Sequence, residues 1–151
     1  MIMACLVVTA CGSAQLLSLL PTRAGGVTFS QANVIDDTFL SGHAVDEVYA
    51  ALGRSRQDGL AADRLDPASG DVIGATRVDG VSGEELLEAF VQHWQSASVV
   101  DRVAGTIAHR SVWTLRHRGG NTTVAYRRDD VVFYASSEQG DDAPEYVNDL
   151  P

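Results

Sequence analysis

The sequence predicts an α+β domain, built as a single antiparallel β-sheet with helices packed on one face. Three observations point there. Apolar residues recur at helical spacing in three segments, each with a start or stop signal beside it. Other segments alternate, or run in short β-branched and aromatic stretches, and they outnumber the helices. The turns between those segments are too short for the crossovers that parallel strands need. With 151 residues, 45% of them hydrophobic and 21% charged, the chain is long enough for one domain with a core of its own.

Each element has its own signal. After Gly25-Gly26, the segment "GVTFSQANVI" reads as an early strand. "AVDEVYAALG" places Val45, Val48, Tyr49 and Leu52 on one helical face, with Gly53 suited to the C-cap. Residues 60–65 and 71–79 flank the turn sequence "DPASG" and read as a hairpin. "SGEELLEAFVQHW" opens on a capping box, Ser82 with Glu85, and then stacks Leu87, Phe90, Val91 and Trp94. "SVWTLRHR", "TTVAYRR" and "VVFYASS" form a meander turning at Gly119-Gly120-Asn121 and at Asp129-Asp130. "DDAPEYVNDLP" repeats the capping device with Asp142 and Glu145, has Pro144 in the first turn, and stops at Pro151.

Charge narrows the function. The net charge of −9 opposes generic nucleic-acid binding, which needs a positive field over the phosphates. All 11 basic residues are arginine, and six of them fall between Arg102 and Arg128, a segment without a single acid. The remainder of the chain therefore carries −15. Such asymmetry marks either a binding face or two parts of a fold that face one another.

The amino-terminal segment concerns location. Residues 2–8 are apolar, and Val8-Thr9-Ala10-Cys11 runs aliphatic, small, small, cysteine. These four residues and the run before them resemble the lipobox of bacterial lipoproteins. The resemblance implies acylation of the Cys11 thiol and cleavage before it, giving a lipid-anchored protein on the extracytoplasmic face of the cell membrane. Residues 1–10 are then a lipoprotein-type signal sequence, 11–15 the lipidated cysteine with a short tether, and 16–151 the domain. The positively charged opening of a signal peptide is missing from "MIMA", so the segment is truncated or degenerate. Two alternatives stay open: cleavage at Gly12-Ser13-Ala14 and secretion, or a first core strand over residues 1–10 with a buried cysteine. The apolar run is too short for a transmembrane helix. With Cys5 removed and Cys11 acylated, no thiol remains for catalysis, a disulfide or a metal.

A second resemblance covers about residues 16–151. The order "LLSLLP…GGVTF", "FL", "ALG", "ELLEAF", "AYRRDDVVF" and a terminal "LP" is similar to a family of uncharacterised secreted or lipid-anchored bacterial α+β domains. It implies architecture and location, and no activity. The family pattern has Gly-Asp before the last strand where this chain has Asp129-Asp130; aspartate tolerates the positive φ such a turn requires.

Chemical motifs are sparse. The sequence has no nucleophile elbow, no phosphate loop with lysine and no His-Glu-x-x-His helix, and it implies no cofactor. His43 with Asp46 and Glu47 could form one edge of a metal site, but metals need three or more converging ligands, and no metal site is expected. Asp36-Asp37 and Asp141-Asp142 could act as carboxylate pairs, but acidic pairs are more often solvated turns or caps, and Asp142 already has the cap role. His93 and His109 have no visible partner; a pocket gathering His109 or His117 with acids would favour an enzyme.

The basic meander is the ligand-binding candidate, through Arg110, Arg116, Arg118, Arg127 and Arg128. Alternation puts Arg110, Val112, Thr114, Arg116 and Arg118 on one strand face, and Trp113, Leu115 and His117 on the core side. Arginines gathered on one hairpin can hold carboxylate or phosphate by paired hydrogen bonds, or can equally pair with neighbouring acids. Anionic lipid, a wall polymer or a protein partner are the expected targets. The functional expectation is a non-catalytic, lipid-anchored binding protein; the alternative is an exported hydrolase with a His or carboxylate site.

Overall fold

The computed structural model describes residues 6–34 and 42–151. Asp36-Asp37 lie outside the described residues. The element order is α1 (Leu6–Leu19), β1 (Arg23–Ala24), β2 (Val27–Thr28), β3 (Gln31–Val34), α2 (Gly42–Ala51), a 3-10 turn (Arg56–Asp58), β4 (Gly59–Leu65), β5 (Val72–Val78), α3 (Gly83–His93), β6 (Val99–Ile107), β7 (Arg110–His117), β8 (Thr122–Arg128), β9 (Val131–Ser137) and α4 (Ala143–Val147). The α+β class is as expected. Seven strands form an antiparallel sheet in the order β3-β4-β5-β9-β8-β7-β6, and β1-β2 form a separate two-stranded ribbon.

The sheet joins two locally wound units. β4 and β5 are a hairpin around the Asp66–Gly70 turn, where the Gly70 N–H donates to the Asp66 carbonyl at 2.8 Å. β6 to β9 wind back as a meander, and β9 closes against β5. The Arg128–Val131 hairpin needs only two turn residues, and Asp129 takes a positive φ of 55° there. α3 carries the chain from β5 to the far edge, and its capping box is formed: Glu85 N–H donates to Ser82 Oγ at 3.2 Å, and Ser82 N–H to Glu85 Oε2 at 3.0 Å.

Helices cover both faces of the sheet, not one. Along the central strands, consecutive residues enter different cores. Ala62, Ile73, Ala75, Val124, Tyr126 and Phe133 pack with Leu16 of α1, with Leu20 just after it, and with Tyr146 and Val147 of α4. Ala61, Val78, Ala125, Val132 and Tyr134 pack instead with Val45, Val48 and Tyr49 of α2 and with Leu86, Phe90 and Trp94 around α3. A strand buried on both faces is apolar at successive positions, so its sequence does not show which side is covered. The second core is aromatic: Trp94 stacks on Phe90 at 4.3 Å and lies 4.7 Å from Tyr134. Gly74 leaves the room for the Tyr134 ring, which a side chain on that strand would displace.

Several local expectations are revised. "GVTFSQANVI" is two short strands, β2 and β3, separated by the buried Phe29. β6, whose sequence mixes charge, glycine and valine, is an edge strand without a clean alternation. α4 begins at Ala143 with Pro144 in its first turn, as expected, but Asp142 makes no side-chain cap bond. Residues 6–10 are helical rather than extended, and the helix continues unbroken through Cys11 and residues 12–15. Ser13 and Leu16 are buried. Among the described residues no helix is long and apolar enough to cross a membrane.

Candidate functional site

The five candidate arginines separate into three places. β7 pairs with β6 along its whole length, from Arg110 to His117. Its ladder with β8 is shorter and runs only from Trp113–Ala125 to Arg116–Thr122. β7 begins at Arg110 and β8 continues to Arg128, so the two strands part over three residues each. Arg110, Arg127 and Arg128 lie at this open end.

Arg110 is held in place. Its guanidinium lies 5.0 Å from the centroid of the Tyr126 ring, and one of its amino groups donates to Tyr126 Oη at 3.0 Å and to the Val147 carbonyl at 2.9 Å. Tyr126 Oη donates in turn to the Pro151 carbonyl at 2.6 Å. Burial pushes the Tyr126 hydroxyl up to about 12, against the opposing pull of Arg110, so it stays a neutral donor. Arg110, Tyr126, Arg127, Arg128 and Pro151 enclose a hollow of about 250 Å³. Arg127 and Arg128 are exposed, and neither makes an ion pair with a described residue.

The other arginines do not join this group. Arg116 reaches Asp101 on β6 at 3.3 Å, an exposed pair. Arg118 lies beyond the other end of β7, where its N–H donates to the Ser98 carbonyl at 2.8 Å. The face assigned to arginines is also not a free surface: Val112 is buried in the first core. Arg102, outside the candidate set, donates from Nε to the Val91 carbonyl at 2.7 Å and closes the end of α3.

A second hollow, about 420 Å³, opens on the α3 side of the sheet. Leu87, Val91 and Trp113 give it apolar walls, Glu84 and Glu88 rim it from α3, and Arg127 lines it from β8. Arg127 therefore borders both hollows, one on each side of the parted strands. Sequence alternation locates each arginine on a face. It does not reveal where a ladder stops, and that termination is what creates the site.

The remaining candidates have structural occupations. Asp46 receives two hydrogen bonds from Arg56, at 2.7 and 2.9 Å, and the guanidinium holds its carboxyl below the usual range. His43 and His93 are exposed. Asp141 accepts from Thr122 Oγ1 at 3.0 Å, which fixes the turn after β9. Among the described residues no three His, Cys, Asp or Glu side chains are grouped to hold a metal. Cys11 lies within α1.

His109 is exposed in the two-residue β6–β7 turn, at a positive φ of 63°. His117 is buried, with Ser98 Oγ at 2.8 Å from Nδ1 and Thr123 Oγ1 at 3.0 Å from Nε2. Ser98 Oγ also donates to the Gln95 carbonyl at 2.9 Å, so this serine is held between a carbonyl and the ring. Burial, aided by the charge of Arg102, lowers the His117 pKa and keeps the ring neutral. No family model matches the chain, and no curated protein matches it.

Proposed function

We propose that this is a non-catalytic binding domain, lipid-anchored through Cys11 at the extracytoplasmic membrane face, that takes an anionic ligand in the Arg110–Arg127–Arg128 cleft. One observation carries the reading. Arg110, Arg127 and Arg128 border one hollow; Arg110 is pre-oriented by Tyr126, and the other two make no ion pair with a described residue. Uncompensated arginines around a concavity favour a carboxylate or phosphate, because such a ligand relieves their mutual repulsion and accepts paired hydrogen bonds.

The anchor fits the same arrangement. Gly12, the residue after Cys11, is so close to β4 that an added Cβ would meet Leu60 Cδ1 at 2.7 Å. A lipid on Cys11 would thus leave almost no spacer between bilayer and folded body. Leu16 of α1 and Leu20 just after it share a core with Tyr126, so the anchor helix and the Arg110 side of the cleft lie on one face of the sheet.

Two measurements test the two parts. Metabolic labelling with a fatty-acid analogue should mark the protein and vanish in Cys11→Ala; a variant that remains labelled and membrane-bound refutes the anchor. Titration of the protein with inorganic phosphate and with glutarate, followed by NMR shifts, should report binding that weakens with salt and is lost in Arg127→Ala/Arg128→Ala. Unaltered binding by that double variant refutes the cleft.

A further inference from the structure

The hollow on the α3 side holds opposite charges that do not pair. Glu84, Leu87, Glu88, Val91 and Gln92 recur at helical spacing, so one stripe of α3 forms one wall. Trp113 of β7 and Arg127 of β8 form the other. Arg127 belongs on this face: it pairs with Val132 and lies two residues from Ala125, both packed in the core beneath α3. α3 is fixed at both ends of the hollow. A Cβ on Gly83 would collide with the Asp129 carbonyl of the β8–β9 turn, and Arg102 donates to the Val91 and Gln92 carbonyls at 2.7 and 3.3 Å. The space of about 420 Å³ between the walls is therefore preformed, and of the size small ligands use. Glu84, Glu88 and Arg127 make no ion pair with one another or with any other described residue.

We propose that this hollow binds a free α-amino acid with an apolar side chain. A simple anion at Arg127 would be repelled by two glutamates, and a simple cation at Glu84 and Glu88 would be repelled by Arg127. A zwitterion satisfies both walls: its carboxylate accepts from the guanidinium, and its ammonium donates to the glutamates. Its side chain then rests on Leu87, Val91 and Trp113, which removes apolar surface from water. This site shares only Arg127 with the anion cleft on the other face of the sheet.

The experiment titrates the full chain with L-leucine, read by calorimetry and by tryptophan fluorescence, since Trp113 lines the hollow while Trp94 is buried. Three comparators go with it: leucinamide, which lacks the carboxylate; N-acetyl-leucine, which lacks the ammonium; and glycine, which lacks the apolar body. Leucine should bind about fivefold or more tightly than each. Leucinamide and N-acetyl-leucine also stand for the first and last residues of a peptide, so this preference separates a free amino acid from a peptide end. Arg127→Ala should erase the preference over leucinamide, Glu84→Gln/Glu88→Gln that over N-acetyl-leucine, and Leu87→Ala should reduce that over glycine. Leucinamide, N-acetyl-leucine or glycine binding as tightly as leucine overturns the proposal, and so does an absence of leucine binding at about 10 mM. Such a failure with inorganic phosphate still bound removes this site alone and leaves the anion cleft standing.

Discussion

Gly59→Ala tests how α2 is locked to the sheet. Gly59 opens β4 in an extended conformation, φ −136° and ψ 168°, which alanine adopts without strain, so any effect of the substitution is steric. A Cβ there would lie 2.5 Å from both Tyr49 Oη and Tyr49 Cε2. Tyr49 is 1% exposed and cannot swing into solvent. Its hydroxyl shares a 2.6 Å hydrogen bond with Thr76 Oγ1 and lies 3.2 Å from the Leu60 carbonyl. Displacing the ring by about an ångström costs about 1–3 kcal/mol as overpacking. Loss of the Thr76 bond adds about 1 kcal/mol. Replacing an extended glycine by alanine returns about 0.5–1 kcal/mol. The net expectation is a destabilisation of about 1–3 kcal/mol, measured by urea unfolding followed by tryptophan fluorescence. In a Tyr49→Leu background the same substitution should become neutral or stabilising, because the obstructing ring is gone. Gly105→Ala is the control, since a Cβ there meets nothing within 4 Å, and it should stabilise slightly. A Gly59→Ala protein as stable as the parent, or one whose defect persists without the Tyr49 ring, refutes the reasoning.

Three further outcomes follow from other parts of the structure. Leu16→Ala should cost about 2–5 kcal/mol in the same unfolding assay, because Leu16 is 5% exposed within the first core; no change would mean that α1 is not part of the stable fold. His117 has a depressed pKa, so its contribution is complete above the unfolded value of about 6.5 and is lost as pH falls below it; His117→Gln should flatten the slope of stability between pH 7 and 5, and an equal slope in both proteins would refute its neutral burial. Arg116→Ala and Arg118→Ala should leave phosphate titrations within about twofold of the parent, since the first pairs with Asp101 and the second lies at the other end of β7. A loss comparable to that of Arg128→Ala would move the site along the strand.

Local chemistry was enough to locate most elements. Ser82 with Glu85, the Val45–Val48–Tyr49–Leu52 stripe ended by Gly53, the Asp66–Gly70 turn and the positive-φ Asp129 each act within a few residues, so composition and spacing encode them directly. β6 was not legible, because an edge strand owes its existence to β7 and needs no periodicity of its own. Nor was the helical state of residues 6–10, where an apolar run suits helix and strand equally.

By itself the sequence determined an antiparallel α+β domain and a segment of six arginines without an acid. Only the tertiary structure decided which of those arginines meet. β7 follows β6 through a tight hairpin, and parts from β8 before Arg110 and Arg128 are reached. Strand pairing and twist are set by partners distant in sequence, so the end of a ladder is a property of the assembled sheet. That ending, with α4 supplying the Val147 carbonyl and α3 its two glutamates, turns a charge pattern into two hollows, one bordered by arginines and one of mixed apolar and charged lining.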